Sequence, residues 1–418
     1  VKVIVITTIL LLLLDVYIYT ALRSTKIRWA KSASFPFLWW GYSGLLILGI
    51  ICSIYFNLRL TVRAIIMVAF FISFVTKFVY MLALLVDDLR RGMIWLKRLF
   101  VPKRAKLTEN ADKESDRISR SEFLTKSGIV IAAVPFAGLS WGIISGAYDY
   151  KVRRQKIYLP NLPKAFHGIK IVQLSDIHSG SFYNKKAVLG GVEMAMAEKA
   201  DLVFFTGDLV NNLASEMVNY QSIFARINAP LGVFSVLGNH DYGDYHFGKE
   251  PSAAKAKNLL EVKGIHQTLG WDLLLNENRI IKVDNEEIGI VGVENWGKGR
   301  FPKYGDLNKA LQDTDNLPIK LLLSHDPSHW RGEVLDHPDI DVMFSGHTHG
   351  MQFGVRAEHL QWSPVQYIYP EWAGLYRERQ QQLYVNVGFG FLGYPGRVGI
   401  VPEITTFELL RGNDPSIS

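Results

Sequence analysis

Three continuous apolar runs open the chain, at residues 3–22, 37–56 and 64–86. Each is close to the ~20 residues that an α-helix needs to cross the hydrocarbon core of a bilayer. Trp39, Trp40 and clusters of Lys and Arg flank them, the placement expected at membrane–water interfaces rather than inside a soluble core. A fourth run, 128–148, contains Pro135 and places Gly138, Gly142 and Gly146 at steps of four. Those glycines would form a smooth stripe where another helix can approach; a loop-rich connector is the alternative. The pattern predicts an N-terminal bundle of about four transmembrane helices, three within 1–87 and the fourth over 128–148. Residues 88–127, polar and mixed in charge, read as a basic cytoplasmic linker.

Beyond the fourth run the periodicity changes. Short β-branched runs alternate with helix-like segments such as 185–200 and 253–262, which reads as an α/β catalytic domain over 149–418 with buried strands. Five of the runs end directly in metal-type residues. The run 169–174 leads to Ser175-Asp176-Ile177-His178, and 202–205 leads to Thr206-Gly207-Asp208. The run 233–237 leads to Gly238-Asn239-His240-Asp241, 319–323 to Ser324-His325-Asp326, and 341–344 to Ser345-Gly346-His347-Thr348-His349. Ligands would then gather at one end of a sheet, where α/β proteins place their sites. Asp176 and His178 are two apart, as are His347 and His349, and in an extended segment such pairs point the same way.

Charge divides the chain at the same place. Residues 1–147 carry 19 Lys+Arg and 8 Asp+Glu, a net of +11; residues 148–418 carry 27 and 31, a net of −4. Nucleic-acid binding needs basic surface, so no nucleic-acid partner is expected for the downstream part. All 11 histidines lie there too, which suggests that the chemistry does. The one cysteine, Cys52, sits in an apolar run, excluding structural disulfides and Cys-based zinc sites. The sequence begins with Val1 rather than Met, which leaves open whether its N-terminus is complete.

The same charges set an orientation. The loop after the first run has Arg23, Lys26, Arg28 and Lys31, the loop after the second only Arg59 and Arg63, and the segment 87–127 has eleven Lys/Arg. The positive-inside rule puts the first and third of these in the cytoplasm. A spanning fourth run would then carry the catalytic domain to the extracytoplasmic side. The stretch Ser119-Arg120-Ser121-Glu122-Phe123-Leu124-Thr125-Lys126 resembles a twin-arginine export signal lacking one arginine. It looks like an export signal retained as a membrane helix, although Ser145-Gly146-Ala147 resembles a cleavage site. Asp15 and Lys77 fall at similar depth inside apolar runs; buried intramembrane charges usually pair, so the two are expected in contact.

The metal-type residues comprise two carboxylates, one amide and four histidines, with His240 left over. Such nitrogen and oxygen donors suit Mn, Fe or Zn better than soft copper. The number is too large for one divalent ion and right for two sharing a carboxylate. Two ions roughly 3.5–4 Å apart can hold a bridging hydroxide, and a metal can lower the pKa of bound water to about 7.

All five motifs, in this order and each at a strand end, resemble the calcineurin-like metallophosphoesterase family over roughly residues 155–410. The resemblance implies a four-layer α/β/β/α sandwich with two facing mixed sheets. It implies Asp176, His178, Asp208 and His349 on one metal, and Asp208, Asn239, His325 and His347 on the other, with Asp208 bridging. His240 would face the substrate as a catalytic group, oriented by Asp241. Residues 162–168, Gly374-Leu375-Tyr376 and residues 397–404 are similar to a membrane-associated bacterial branch whose members resemble UDP-diacylglucosamine pyrophosphatases. That implies hydrolysis of a phosphate ester or pyrophosphate of a phosphorylated, lipid-linked substrate by a multi-pass protein of the bacterial inner membrane. One departure is Met351, in Gly350-Met351-Gln352, where the family usually has a second glycine; this reduces backbone freedom near the substrate.

Arg397 is a further candidate, as a contact for a substrate phosphate. The aromatics between Gln352 and Gly396, among them Phe353, Trp362, Tyr369, Trp372, Phe389 and Phe391, form either a lipid-contacting cap or packing against the sheet. His246, His329 and Arg331 read as ordinary surface residues. Two other functions stay open from the sequence: a catalytically silent membrane sensor or scaffold, and a phosphoesterase acting on soluble nucleotides. The oligomeric state is not readable.

Overall fold

The computed structural model describes residues 2–56, 58, 60–100, 120–299, 301, 303–357 and 360–415. They divide into two compact units, Val1–Trp141 and Gly142–Ser418.

Helices Lys2–Ser24, Ser34–Tyr55, Leu60–Phe100 and Arg120–Ile144 carry the four apolar runs. The segments long and apolar enough to cross a membrane are Val5–Ser24, Ser34–Tyr55, Val62–Lys97 and Phe123–Tyr148. The fourth run is one helix through Pro135 rather than a loop-rich connector. The third helix continues past residue 87, where the apolar run stops. Asp87 and Arg90, one turn apart, are 2.6 Å from each other, and such pairs carry a helix into polar sequence. The expected linker is therefore helical as far as Phe100, and its residues 101–119 lie outside the described residues. Within the first unit, Lys77 Nζ lies 2.6 Å from the Asp15 carboxylate and donates to Ser43 Oγ at 3.2 Å. It also sits over the rings of Trp39 and Tyr42. This is the contact that matched depths predict, and pairing is what makes two charges tolerable in hydrocarbon.

The second unit contains two six-stranded sheets. The first is built from β1 (Lys151–Leu159), β2 (Lys170–Leu174), β3 (Leu202–Phe205), β4 (Val233–Ser235), β5 (Asp272–Leu273) and the last described strand, β14 (Glu403–Arg411). Their order is β1-β14-β2-β3-β4-β5. The second uses β6 (Glu277–Val283), β7 (Glu286–Gly292), β8 (Lys320–Leu323), β9 (Val342–Ser345), β12 (Gly374–Glu378) and β13 (Gln381–Val385). Their order is β12-β13-β9-β8-β7-β6. Both sheets are mixed, because β14 runs antiparallel to β2, and β6 and β12 antiparallel to their neighbours. A small hairpin joins β10 (Val355–Arg356) to β11 (Gln361–Trp362).

Alternation along the strands explains the layers. In β3, Leu202 and Phe204 join Ile171, Ile290, Leu321 and Phe344 in a core between the sheets. Val203 and Phe205 face the other way, onto helices Lys185–Ala197 and Ala253–Thr268 through Val188, Val192, Val262 and Ile265. On the far side of the second sheet, Val291, Leu322 and Met343 pack against Leu307 and Trp330 of two short helices. A period of two with both faces apolar is what a strand buried on both sides requires. The result is the α/β/β/α sandwich.

Candidate metal centre

Strands β2, β3 and β4 are parallel neighbours in one sheet, and β8 and β9 in the other, so all five motifs emerge from strand C-termini. Hydrogen bonds lock the loops together. Asp176 N donates to Gly207 O at 2.9 Å and His178 N to Asp208 O at 3.1 Å. His347 N donates to the Asp176 carboxylate at 3.0 Å, which ties the second sheet's loop to the first. A Cβ on Gly346 would collide with the Ser175 and Asp176 side chains, so this approach is open only to glycine.

The loops are not extended. Asp176, His178, Asp208, His347 and His349 all have φ between 48° and 71°. The expectation that Asp176/His178 and His347/His349 align by strand alternation is therefore incorrect. Asp176 and His178 meet in one cluster while His347 and His349 enter different ones, because the backbone turns through left-handed geometry, which costs a non-glycine residue ~1–3 kcal/mol and tends to persist at functional sites. Met351, where the family has glycine, also sits at φ 54°.

The ligand-type atoms form two groups, Asp176/His178/His349 and Asp208/His325/His347, within each of which they lie no more than 4.8 Å apart. His349 Nε2 is 3.2 Å from Asp176 Oδ1 and 3.0 Å from His178 Nε2. Asp208 Oδ2 faces both groups, at 3.5 Å from His178 Nε2 and 3.2 Å from His325 Nε2. Asn239 Oδ1 lies 2.9 Å from His347 Nδ1, and its amide NH2 donates to the Tyr245 hydroxyl at 3.0 Å, which aims the oxygen inward. The sequence-predicted ligands thus come together as one set, buried except for His347, which is partly exposed.

This donor set fits a pair of divalent cations. Imidazole nitrogens face one another at 3.0 Å (His178–His349) and 3.2 Å (His325–His347) against two buried carboxylates. Burial holds the His178 pKa well below its usual value. Burial also pulls His325 down, but the Asp208 carboxylate overrides it and pushes the group up to about 10. The carboxylates therefore demand positive charge between the rings. Two cations bound by nitrogen and oxygen would supply it without crowding protons.

Other expectations change. His240 is half-buried at the edge of the cluster. Its Nδ1 is held 2.7 Å from the Asn211 carbonyl, and its ring stacks on Tyr245. Asp241 does not orient it. The buried Asp241 carboxylate instead accepts the backbone N–H groups of Asp208, Leu209, Val210 and Gly238 at 2.8–3.2 Å. Asp241 therefore clamps the loop that presents Asp208.

Arg397 is likewise not a surface phosphate contact, being 1% exposed. Its guanidinium donates to the carbonyls of Val387, Gly388 and Gly390 and approaches His349 Nδ1 at 3.2 Å. His329 is buried, bonded to Ser324 Oγ and Glu333, rather than on the surface. Tyr369, whose hydroxyl lies 2.9 Å from His347 Nε2, and Asp326, 3.6 Å from the same nitrogen, buttress this candidate ligand. Asp326 follows His325 directly. Nothing in local spacing points to Tyr369.

Two facing mixed sheets, with carboxylates and imidazoles in two groups at their strand ends, define the calcineurin-like phosphoesterases, and the chain belongs to that family of metal-dependent phosphoric ester hydrolases. The family profile described as calcineurin-like phosphoesterase matches residues 169–351. A second, described as a probable calcineurin-like phosphoesterase transmembrane domain, matches residues 1–147. Similar proteins include an uncharacterized metallophosphoesterase of Helicobacter pylori, 30% identical over 72% of this chain and 74% of its own length. Another is the uncharacterized metallophosphoesterase YkuE of Bacillus subtilis, 27% identical over 71% of this chain and 99% of its own. The phosphodiesterase YaeI of Escherichia coli is 28% identical over 70% of this chain and 100% of its own.

Proposed function

We propose that the chain is a membrane-anchored hydrolase that cleaves a phosphate ester or anhydride of a lipid-linked substrate with two divalent ions. Asp176, His178, Asp208 and His349 would hold one ion, and Asp208, Asn239, His325 and His347 the other. The single observation that carries this reading is the position of Asp208 Oδ2, turned toward both groups from a loop clamped by Asp241. When bound, the ions would polarise the phosphoryl group and lower the pKa of water.

The chain's own residues do the rest. His240, with Nδ1 held by the Asn211 carbonyl, presents its other nitrogen to stabilise a phosphoryl oxygen or protonate the leaving group. Asp241 and Arg397 keep the Asp208 and His349 loops fixed. The anchor favours a substrate in the same bilayer, because tethering raises the encounter rate. The charges flanking the four apolar helices favour an extracytoplasmic active site.

Asp208→Asn tests the chemistry. The bound metal should fall from two ions to one or none, and Mn²⁺-dependent hydrolysis should drop by at least a hundredfold. Unchanged activity in this variant would reject the two-ion assignment. Accessibility of residues 149–418 to protease in intact cells tests the orientation, and full protection with an intact envelope-permeable control would reverse it.

A further inference from the structure

The aromatic-rich segment after the last ligand histidines divides in two. Trp372, Phe389 and Phe391 are buried core, the packing reading. Met351, Phe353, Val355, Leu360, Trp362 and Ile368 are exposed, by between 37% and 65%. Six large apolar side chains standing in water within one short stretch exceed the scatter normal for a soluble surface.

Local geometry joins them. Val355 and Trp362 are direct partners across the β10–β11 hairpin, so their side chains share a face. Ser363 Oγ donates to Gly350 O at 2.8 Å, holding the base of the hairpin against the loop of His349. Both ends of the segment rest on the metal centre. Met351 lies two residues after His349, and Tyr369, directly after Ile368, bonds to His347.

The other edge of the segment meets the end of the fourth apolar span. That span runs to Tyr148, so its last residues belong to the second unit. Gly142 O accepts Arg397 N at 3.1 Å, and Val398 next to it bonds on both sides to the segment, giving Val398 N to Gln352 O and Gly354 N to Val398 O at 2.8 and 2.9 Å. Phe353 is the bridge partner of Val398. The exposed apolar collar is thus joined through Arg397 and Val398 to Gly142, in the last turn of the fourth apolar helix.

We propose that this collar is seated in the lipid interface of the bilayer, with Phe353, Trp362 and Ile368 among the acyl chains and headgroups, so that the metal centre opens onto headgroup phosphates. Aliphatic and aromatic side chains at the end of a span are the composition that enters this region. The seating itself rests on the anchor and the exposed face. Only its use in choosing a lipid phosphate rests on the hydrolase reading above.

The test uses the full chain with Cys52→Ser as background. Single cysteines replace Phe353 or Trp362, or as a control Lys282, whose side chain is 67% exposed on β6. Each is labelled with nitrobenzoxadiazole and reconstituted in phosphatidylcholine–phosphatidylglycerol vesicles. Labels at 353 and 362 should shift to the blue and lose at least half their intensity when shallow doxyl-phosphatidylcholine is included, while the label at 282 should not change. If 353 and 362 behave like 282, the collar faces water. If they are shielded from aqueous iodide but not quenched by doxyl lipid, it is a protein-binding face. Either result overturns the proposal.

A second variant, Phe353→Ser with Trp362→Ser and Ile368→Ser, should lower hydrolysis of a bilayer-borne phosphate ester at least tenfold relative to a water-soluble aryl phosphate. An equal effect on both substrates removes the role in substrate choice. A parent protein that hydrolyses neither substrate counts against the hydrolase reading, and lipid quenching still decides the seating.

Discussion

Arg397 reaches up to His349 Nδ1 at 3.2 Å while its guanidinium also donates to the carbonyls of Val387, Gly388, Gly390 and Ile400. A candidate ligand histidine is thus braced by a cation some fifty positions away in the chain. The carbonyls hold the guanidinium, and the guanidinium packed against the ring fixes its position. Arg397→Lys keeps the charge but loses the planar fork, and is expected to weaken metal binding by about 10–100-fold. Metal titration of purified protein checks this, and unaltered affinity would remove the bracing role.

His240 and Asp241 are adjacent, yet their variants should behave differently. His240→Ala leaves every ligand in place, so two ions should still bind while kcat falls by about 10²–10⁴. Asp241→Asn places an NH2 group against some of the four N–H donors that the carboxylate now satisfies. That should cost about 1–3 kcal/mol of stability and weaken metal binding with it. Metal content, kcat and thermal melting measured together separate the two. Loss of metal in His240→Ala would make it a ligand after all.

Asp15 and Lys77 each need the other. Removing one partner leaves a buried unpaired charge, a change worth ~3–5 kcal/mol in folded proteins. Asp15→Lys and Lys77→Asp alone should each reduce the monodisperse protein recovered in mild detergent, and the double reversal should restore part of it. Recovery of the double variant no better than either single one would show that the 2.6 Å contact is not what stabilises the bundle.

His266 sets a pH dependence away from the metal centre. It is fully buried beneath the first sheet, bonded to Ser235 Oγ, and burial holds its pKa down to about 3. An unfolded histidine titrates near 6.5, so the unfolded chain binds the extra proton first. The stability from a neutral His266 is complete above about pH 6.5 and is lost as pH falls toward 3, by ~1.4 kcal/mol per unit. In chelator-treated protein, His266→Gln should show a smaller drop in melting temperature from pH 7 to pH 5 than the parent. Equal drops would place the acid sensitivity elsewhere.

The sandwich and the clustering of the candidate ligands were legible because both are written locally. Runs of two-sided apolar residues mark buried strands, and Asp176, Asp208, Asn239, His325 and His347 each follow such a run within a few positions. The supports were not legible, because they depend on paths between distant segments. Arg397 looks like a surface arginine until the 387–390 carbonyls surround it, and Asp241 looks like an orienter for its neighbour until four backbone donors converge on it. The left-handed turns at the ligands were hidden for a related reason: strand alternation stops where the strands do. Hydropathy also cut the third helix short at residue 87, since polar pairs such as Asp87–Arg90 extend a helix without lengthening its apolar run.

β1, the strand that follows the last membrane helix, pairs along all nine residues with β14, from Lys151 opposite Glu403 to Leu159 opposite Arg411. β14 also separates β1 from β2, the strand that carries Asp176. During synthesis the first strand to appear therefore waits for the last described one, and the sheet beneath Asp176 keeps an open edge throughout. The sheet that carries the Asp176 and Asp208 loops is therefore completed only after residues 403–411 have been made, so chains interrupted before residue 403 should be seen by quality-control proteases as unfinished rather than act as rogue hydrolases.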